Sequence, residues 1–127
     1  MKAPEHAYFF HVETLPSKEL LRGIRLKSVN LETLMMTFVD YAADAVVPPH
    51  HHRREQITYV LEGALEVSVD GEQRVLGPGE GVRIPPGVEH GSRPIGGPVK
   101  AVDAWTPLSE RFKVERGSTY TEQRTGL

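Results

Sequence analysis

A chain of 127 residues with 15 basic and 17 acidic side chains, a net charge of −2 and no cysteine is of single-domain length and offers no disulfide framework, thiolate metal site or thiol nucleophile. The charges are spread along the sequence, and Arg53-Arg54 is too short a cluster to mark a nucleic-acid binder. Met1 to Val12 lacks a basic segment followed by a long apolar run, and no stretch reaches membrane-spanning length, so a soluble, cytoplasmic protein is expected.

Twelve glycines and ten prolines, many beside other turn formers, predict short strands joined by tight corners. Tyr8 to Val12 is apolar and aromatic and reads as an outer strand, and Pro16 to Leu21 as a helical turn. Gly23 to Leu31 alternates Ile24 and Leu26 with polar partners, as a half-buried strand does, and Leu34 to Tyr41 is a second apolar run. A strand beginning near Ala45 continues, with a kink at the arginines, through Gln56 to Leu61 and ends at Gly63. Leu65, Val67 and Val69 then alternate with Glu66, Ser68 and Asp70, and Asp70-Gly71 is a hairpin turn. Arg74 to Leu76, a reversal at Gly77 to Glu80, Val82 to Ile84 and Val99 to Trp105 complete an all-β sandwich or barrel. We expect it to occupy residues 1–112, with a polar tail over residues 113–127.

The segment Pro49-His50-His51-His52-Arg53-Arg54-Glu55-Gln56 carries most of the functional information. On an extended strand His50, His52 and Gln56 share a parity and point one way, while His51 and Glu55 point the other. His90, after the Pro85-Pro86-Gly87 corner, supplies a fourth donor if the sheet folds back on itself. Imidazole nitrogens and an amide oxygen suit one divalent transition ion, whether nickel, zinc, iron, manganese or copper. His6 and His11 have no such partners in the sequence and read as surface or structural residues. With Gln56, Thr58 and Val60 inward, Ile57, Tyr59 and Leu61 face outward although apolar, so the N-terminal strands or a second subunit must cover them, and a homodimer is expected.

These residues resemble the cupin superfamily. Its first motif, a glycine, five residues, His-x-His, three or four residues, Glu, six residues and Gly, is similar to His50-x-His52, Gln56 and Gly63. Its second, a glycine, five residues, Pro-x-Gly, two residues, His, three residues and Asn, is matched by Gly79, Pro85, Gly87 and His90. The departures are Asp44 for the leading glycine, Pro94 for the trailing asparagine and Gln56 for the glutamate. The resemblance implies a double-stranded β-helix, or jelly roll, and a metal at His50, His52, Gln56 and His90. A neutral ligand set leaves the ion's charge uncompensated, which favours an anionic or oxygen-rich small-molecule ligand and makes oxygen activation less favoured.

Gln56-Ile57-Thr58-Tyr59-Val60 and Asp103-Ala104-Trp105-Thr106-Pro107 look like the small cupins of pectin and alginate breakdown, which convert 4,5-unsaturated monouronates toward linear keto sugars. In that group an Asp-x-aromatic pair lies beside the metal and a catalytic arginine follows. Asp103 and Trp105 match the pair; Ser109 stands at the arginine's place and Arg111 is the nearest candidate. The resemblance thus implies a lyase or isomerase acting on a small sugar acid or keto acid, with Asp103 and Arg111 catalytic and Trp105 against the sugar ring. Asp103 as a buried hydrogen-bonded residue and Trp105 as ordinary core packing stay open beside those roles. A non-catalytic metal-dependent sugar binder and a cupin dioxygenase are the competing functions.

Overall fold

The computed structural model describes residues 8–107. The strands are β1 (Lys18–Leu21), β2 (Ile24–Asn30), β3 (Met35–Tyr41), β4 (Val47–His50), β5 (Glu55–Glu62), β6 (Leu65–Val69), β7 (Glu72–Leu76), β8 (Gly81–Ile84), β9 (His90–Pro94) and β10 (Val99–Thr106). They form a six-stranded sheet in the order β1-β2-β3-β10-β5-β8 and a four-stranded sheet in the order β4-β9-β6-β7, antiparallel throughout. The fold is the expected all-β jelly roll, with no α-helix among the described residues. No helix among them is long and apolar enough to cross a membrane.

The alternation read from the sequence determines which side chains enter the space between the sheets. In β2, Ile24, Leu26, Ser28 and Asn30 are buried; in β3, Met35, Thr37, Val39 and Tyr41; in β10, Val99, Ala101, Asp103 and Trp105. The register aligns them in rows across the large sheet. Leu26, Val39, Ala101 and Val60 make an apolar row. The next is Ser28, Thr37, Asp103 and Thr58, and the one beyond it Asn30, Met35, Trp105 and Gln56. Leu65 and Val67 of the small sheet close over the apolar rows. A side chain such as Leu26, 2 % exposed, contributes on the order of 2 kcal/mol by its removal from water.

Turn chemistry sets the corners. Asp70 and Gly71 both have positive φ, 51° and 83°, as the tight β6–β7 hairpin requires. Gly63, with φ of 88°, lies so close to Pro98 that a Cβ there would sit 2.4 Å from the Pro98 carbonyl oxygen, which accounts for the glycine at that motif position.

Four expectations are corrected. Tyr8 to Val12 is not a strand, since β1 takes the edge of the sheet beside β2. Phe10 instead packs on Phe38, with ring centroids 6.3 Å apart, and Lys27 donates to the Val12 carbonyl, so the segment crosses the outer face of the large sheet. His11 accepts from the Glu13 N–H at the start of a 3-10 turn, Val12–Thr14, a structural role. Lys18–Leu21 is a strand and not a helical turn, because a segment confined between Pro16 and Gly23 is too short to propagate a helix and pairs with β2 instead. The long donor strand is two strands in different sheets, β4 and β5, broken at residues 51–54. His90–Pro94 is an additional strand; Gly91 belongs there because a Cβ would sit 2.8 Å from the Val47 carbonyl oxygen. The expected tail, residues 113–127, lies outside the described residues.

Candidate metal centre and cavity

Two sheets and one turn bring the donors together. His50 ends β4 and is paired with His90, the first residue of β9. His52 sits in the link between the sheets, and Gln56 enters β5 opposite Trp105. The Pro85-Pro86-Gly87 corner is fastened to that link: the Gly87 N–H donates to the His52 carbonyl at 2.7 Å. The convergence of His50, His52 and Gln56 therefore comes from the break between strands and not from shared parity along one strand. His51, between the two ring-bearing positions, is exposed and stands outside the cluster.

The ring centroids of His50 and His90 are 4.3 Å apart, those of His52 and His90 4.8 Å, and those of His50 and His52 5.6 Å. One nitrogen from each lies within 4.8 Å of the others. The Nδ1 atoms of His50, His52 and His90 face the carbonyls of Pro48, Arg54 and Val88 at 2.9, 3.0 and 2.8 Å. A carbonyl only accepts, so each Nδ1 carries the ring's proton and Nε2 presents a lone pair.

That tautomer leaves two defects that a cation repairs. The His90 Nε2 is buried with no hydrogen-bond partner. The His52 Nε2 lies 3.0 Å from the Gln56 Oε1, so that ring stands between two oxygen acceptors with one proton to give. A second proton is disfavoured, because burial lowers the proton affinity of His52 and of His90. The residues fit a divalent ion, and the three histidines are positioned to hold one.

Behind Gln56 runs a buried network. Its Nε2 donates to the Thr58 Oγ1 at 2.9 Å, and Thr58 donates to one oxygen of Asp103 at 2.5 Å. Thr37 donates to the other oxygen at 3.1 Å and accepts from the Trp105 indole at 2.9 Å. Thr37 and Thr58 are the cross-strand neighbours of Asp103 on its two sides. Burial pushes the Asp103 carboxyl up to about 6, against the downward pull of hydrogen bonds from Thr58, Thr37 and Gln56. Burial first, and then the charge of Asp103, hold the Tyr41 hydroxyl above its ordinary range, although its hydrogen bond to Ser92 pulls back.

All of this borders a cavity of about 320 Å³ between the sheets. One end presents His50, His90, Gln56, Thr58, Asp103 and Trp105; the other is walled by aliphatic side chains such as Leu20, Leu26 and Val67. The volume is at the small end of ligand sites. Sequence reasoning missed Thr37 and Thr58, which carry no motif, and missed Arg54, whose guanidinium carbon lies 5.9 Å from the Trp105 ring centroid. The signal for the threonines was available only as inward parity beside Gln56 and Asp103. Arg111 and Ser109 lie outside the described residues.

The sequence profile described as Cupin domain matches residues 37–105. The chain is 34% identical over 107 residues to the pectin degradation protein KdgF of Dickeya dadantii (strain 3937), covering 83% of this chain and 96% of that one. The structure of KdgF from Halomonas sp. superposes with a TM-score of 0.77 at 31% identity, over 82% of this chain and 96% of that one. An RmlC-like cupin from Shewanella frigidimarina NCIMB 400 gives 0.78 at 28% identity, over 83% and 95%.

Proposed function

The chain belongs to the cupin family, and from that premise we propose that it is a metal-dependent enzyme of lyase or isomerase type acting on a small sugar acid or keto acid. His50, His52, Gln56 and His90 would hold one divalent transition ion. The observation that carries this reading is the buried, partnerless His90 Nε2 beside a His52 ring caught between two oxygens, at the head of the cavity that Asp103 also borders. The likeness to a protein named for pectin degradation supports the sugar-acid class.

When bound, the ion supplies Lewis acidity toward a carboxylate, carbonyl or hydroxyl oxygen. The protein's own groups divide the remaining work. Asp103, lifted to about 6 by burial, is poised near neutrality to take a proton from carbon or oxygen and return it. Its oxygens accept from Thr58, Thr37 and Gln56, which leaves acceptor capacity for that exchange. Trp105 offers a flat apolar face to a sugar ring, with its indole N–H already engaged by Thr37. Arg111, two residues past the position where the spacing expects an arginine, is the candidate for the catalytic arginine, and Arg54 is a cation beside Trp105 among the described residues. A homodimer covering Ile57, Tyr59 and Leu61 belongs to the same reading; their exposures of 52, 47 and 45% support it.

One observation favours a non-catalytic sugar binder: both Asp103 oxygens are tied to threonines, as in a purely structural carboxylate. The deciding experiment uses untagged protein purified without nickel resin. Elemental analysis should find about one transition ion per chain, lost in His50→Ala and His90→Ala and kept in His51→Ala. The wild type should bleach the conjugated absorbance of a 4,5-unsaturated monouronate, and a chelator should stop it. A fully metallated protein that binds such sugars without bleaching them makes the binder the correct reading.

A further inference from the structure

We propose that Thr58 is a positioning residue that fixes the side-chain amide of Gln56 with its oxygen, and not its nitrogen, toward His52. The inference rests on the metal-centre reading above and extends it to a residue outside the ligand set. Its basis is the polarity of a hydrogen-bond chain. A threonine hydroxyl has one proton to give. Thr58 gives that proton to the Asp103 carboxylate, so its oxygen is left as an acceptor toward Gln56. Only the amide nitrogen of Gln56 can donate there, which turns Oε1 to the His52 side. Without Thr58, only the contact with Asp103 distinguishes the two ends of the amide, which are nearly equivalent in shape, and a flipped amide would present N–H groups to a cation.

The same chain explains why glutamine suits position 56. A glutamate has no N–H for Thr58, and the single Thr58 proton cannot serve carboxylates at both 56 and 103. Among the described residues the one buried carboxylate is thus Asp103, and a neutral oxygen donor stands at the centre. The backbone supports the arrangement. Gly81 of β8 passes so near β5 that a Cβ would sit 2.5 Å from the Thr58 carbonyl oxygen, and the Asp103–Thr58 pairing holds the threonine from the other side.

The test is cobalt(II) affinity of the untagged, metal-stripped full chain at pH 8, measured against a competing chelator in wild type, Thr58→Val, Thr58→Ser and Thr37→Val. Thr58→Val keeps the shape and removes the relay, and should weaken cobalt binding by ~10–100-fold, the range for outer-shell partners of a metal ligand. Thr58→Ser should restore it. Thr37→Val touches Asp103 and Trp105 but not Gln56, and should bind cobalt as the wild type does. Wild-type affinity in Thr58→Val, or an equal loss in Thr37→Val, overturns the proposal. Should Thr58→Val not fold, the wild type decides by NMR: the Gln56 side-chain amide protons, assigned by their loss in Gln56→Glu, must show cross peaks to Thr58. Cross peaks to His52 in their place overturn it. A wild type that takes no cobalt removes the metal centre, whereas wild-type binding with an indifferent Thr58→Val removes the relay alone.

Discussion

The two ends of the cavity are built from the same four strands and differ only in which row of the large sheet faces the small one. At one end Leu26, Val39, Ala101 and Val60 pack against Leu65 and Val67, and every side chain is apolar. One row further, Ser28, Thr37, Asp103 and Thr58 replace them, and beyond that lie Trp105 and Gln56. The apolar rows hold the sheets together by excluded water, which tolerates modest changes of shape. The polar rows hold a carboxylate where it has little water, which demands that each hydrogen bond be made. A step of two residues along each strand separates a packing problem from a chemical one.

Asp103→Asn tests the polar end most severely. Asparagine can still present its oxygen to Thr58, so metal occupancy should persist, but it cannot carry a proton between substrate atoms. Turnover of an unsaturated monouronate should fall by ~10²–10⁴-fold with little change in binding. A variant as active as the wild type would move Asp103 from the chemistry to the framework.

Leu26→Ala is the matching cut at the apolar end. Leu26 is almost fully buried, and its truncation leaves a cavity opposite the small sheet. Stability in urea should fall by about 2–5 kcal/mol, while cobalt affinity of the folded protein stays at the wild-type value. A loss of metal affinity would mean that the two ends are not independent.

The proton on Asp103 distinguishes the ends by pH. Its carboxyl rises from an ordinary 3.8 to about 6 in the folded chain, so between those values the folded state holds a proton that the unfolded state has released. The stability contributed by the protonated form is therefore complete below 3.8 and lost as pH rises through about 6. The loss is roughly 3 kcal/mol, with the shift taken at 1.36 kcal/mol per pH unit. His52 and His90 act with the opposite sign: burial depresses both, so their contribution is present above 6.5 and falls as pH drops below it. Both histidines remain in Asp103→Asn, so subtracting the variant's urea stability from that of the metal-free wild type isolates the carboxyl. That difference should decline from pH 4 to pH 7; a flat difference would place Asp103 in a wetter site than its two threonines imply.

Much of this was legible in the residues, and what was not has a common cause. Alternation placed Ile24, Leu26 and Val67 inward, Asp70-Gly71 gave its hairpin, and His50, His52, His90 and Gln56 were selected by residue type and motif spacing. Each of these is a local pattern. The pairing of β3 with β10 and of β10 with β5 is not local, and only that pairing sets Thr37 and Thr58 on either side of Asp103. From sequence the break at residues 51–54 reads only as a kink at the arginines, because prolines and histidines look alike in an extended strand and in a link between sheets. The β9 strand is concealed by Gly91 and Pro94, poor strand formers: the close approach of Val47 requires the glycine, and the proline is the last residue of the strand, past its pairing with β4.

The smallest effect belongs to the outer side of β5. Gln56, Thr58 and Val60 face inward while Ile57, Tyr59 and Leu61 face away, and the N-terminal segment reaches Phe38 of β3 and Lys27 of β2, on the far side of β10 from β5. Among the described residues, the β5 row is left about half exposed. A surface substitution there changes the stability of a single chain by no more than about 0.5 kcal/mol. Tyr59→Lys should therefore leave urea unfolding of the dilute chain unchanged, whereas at high concentration a second copy seated on that row would have to bury an ammonium without a partner. Light scattering should then find the wild type dimeric and Tyr59→Lys shifted to monomer. A wild type that is monomeric at every concentration would show that the outer face of β5 tolerates its apolar row against water, and that the strand's asymmetry serves the cavity alone.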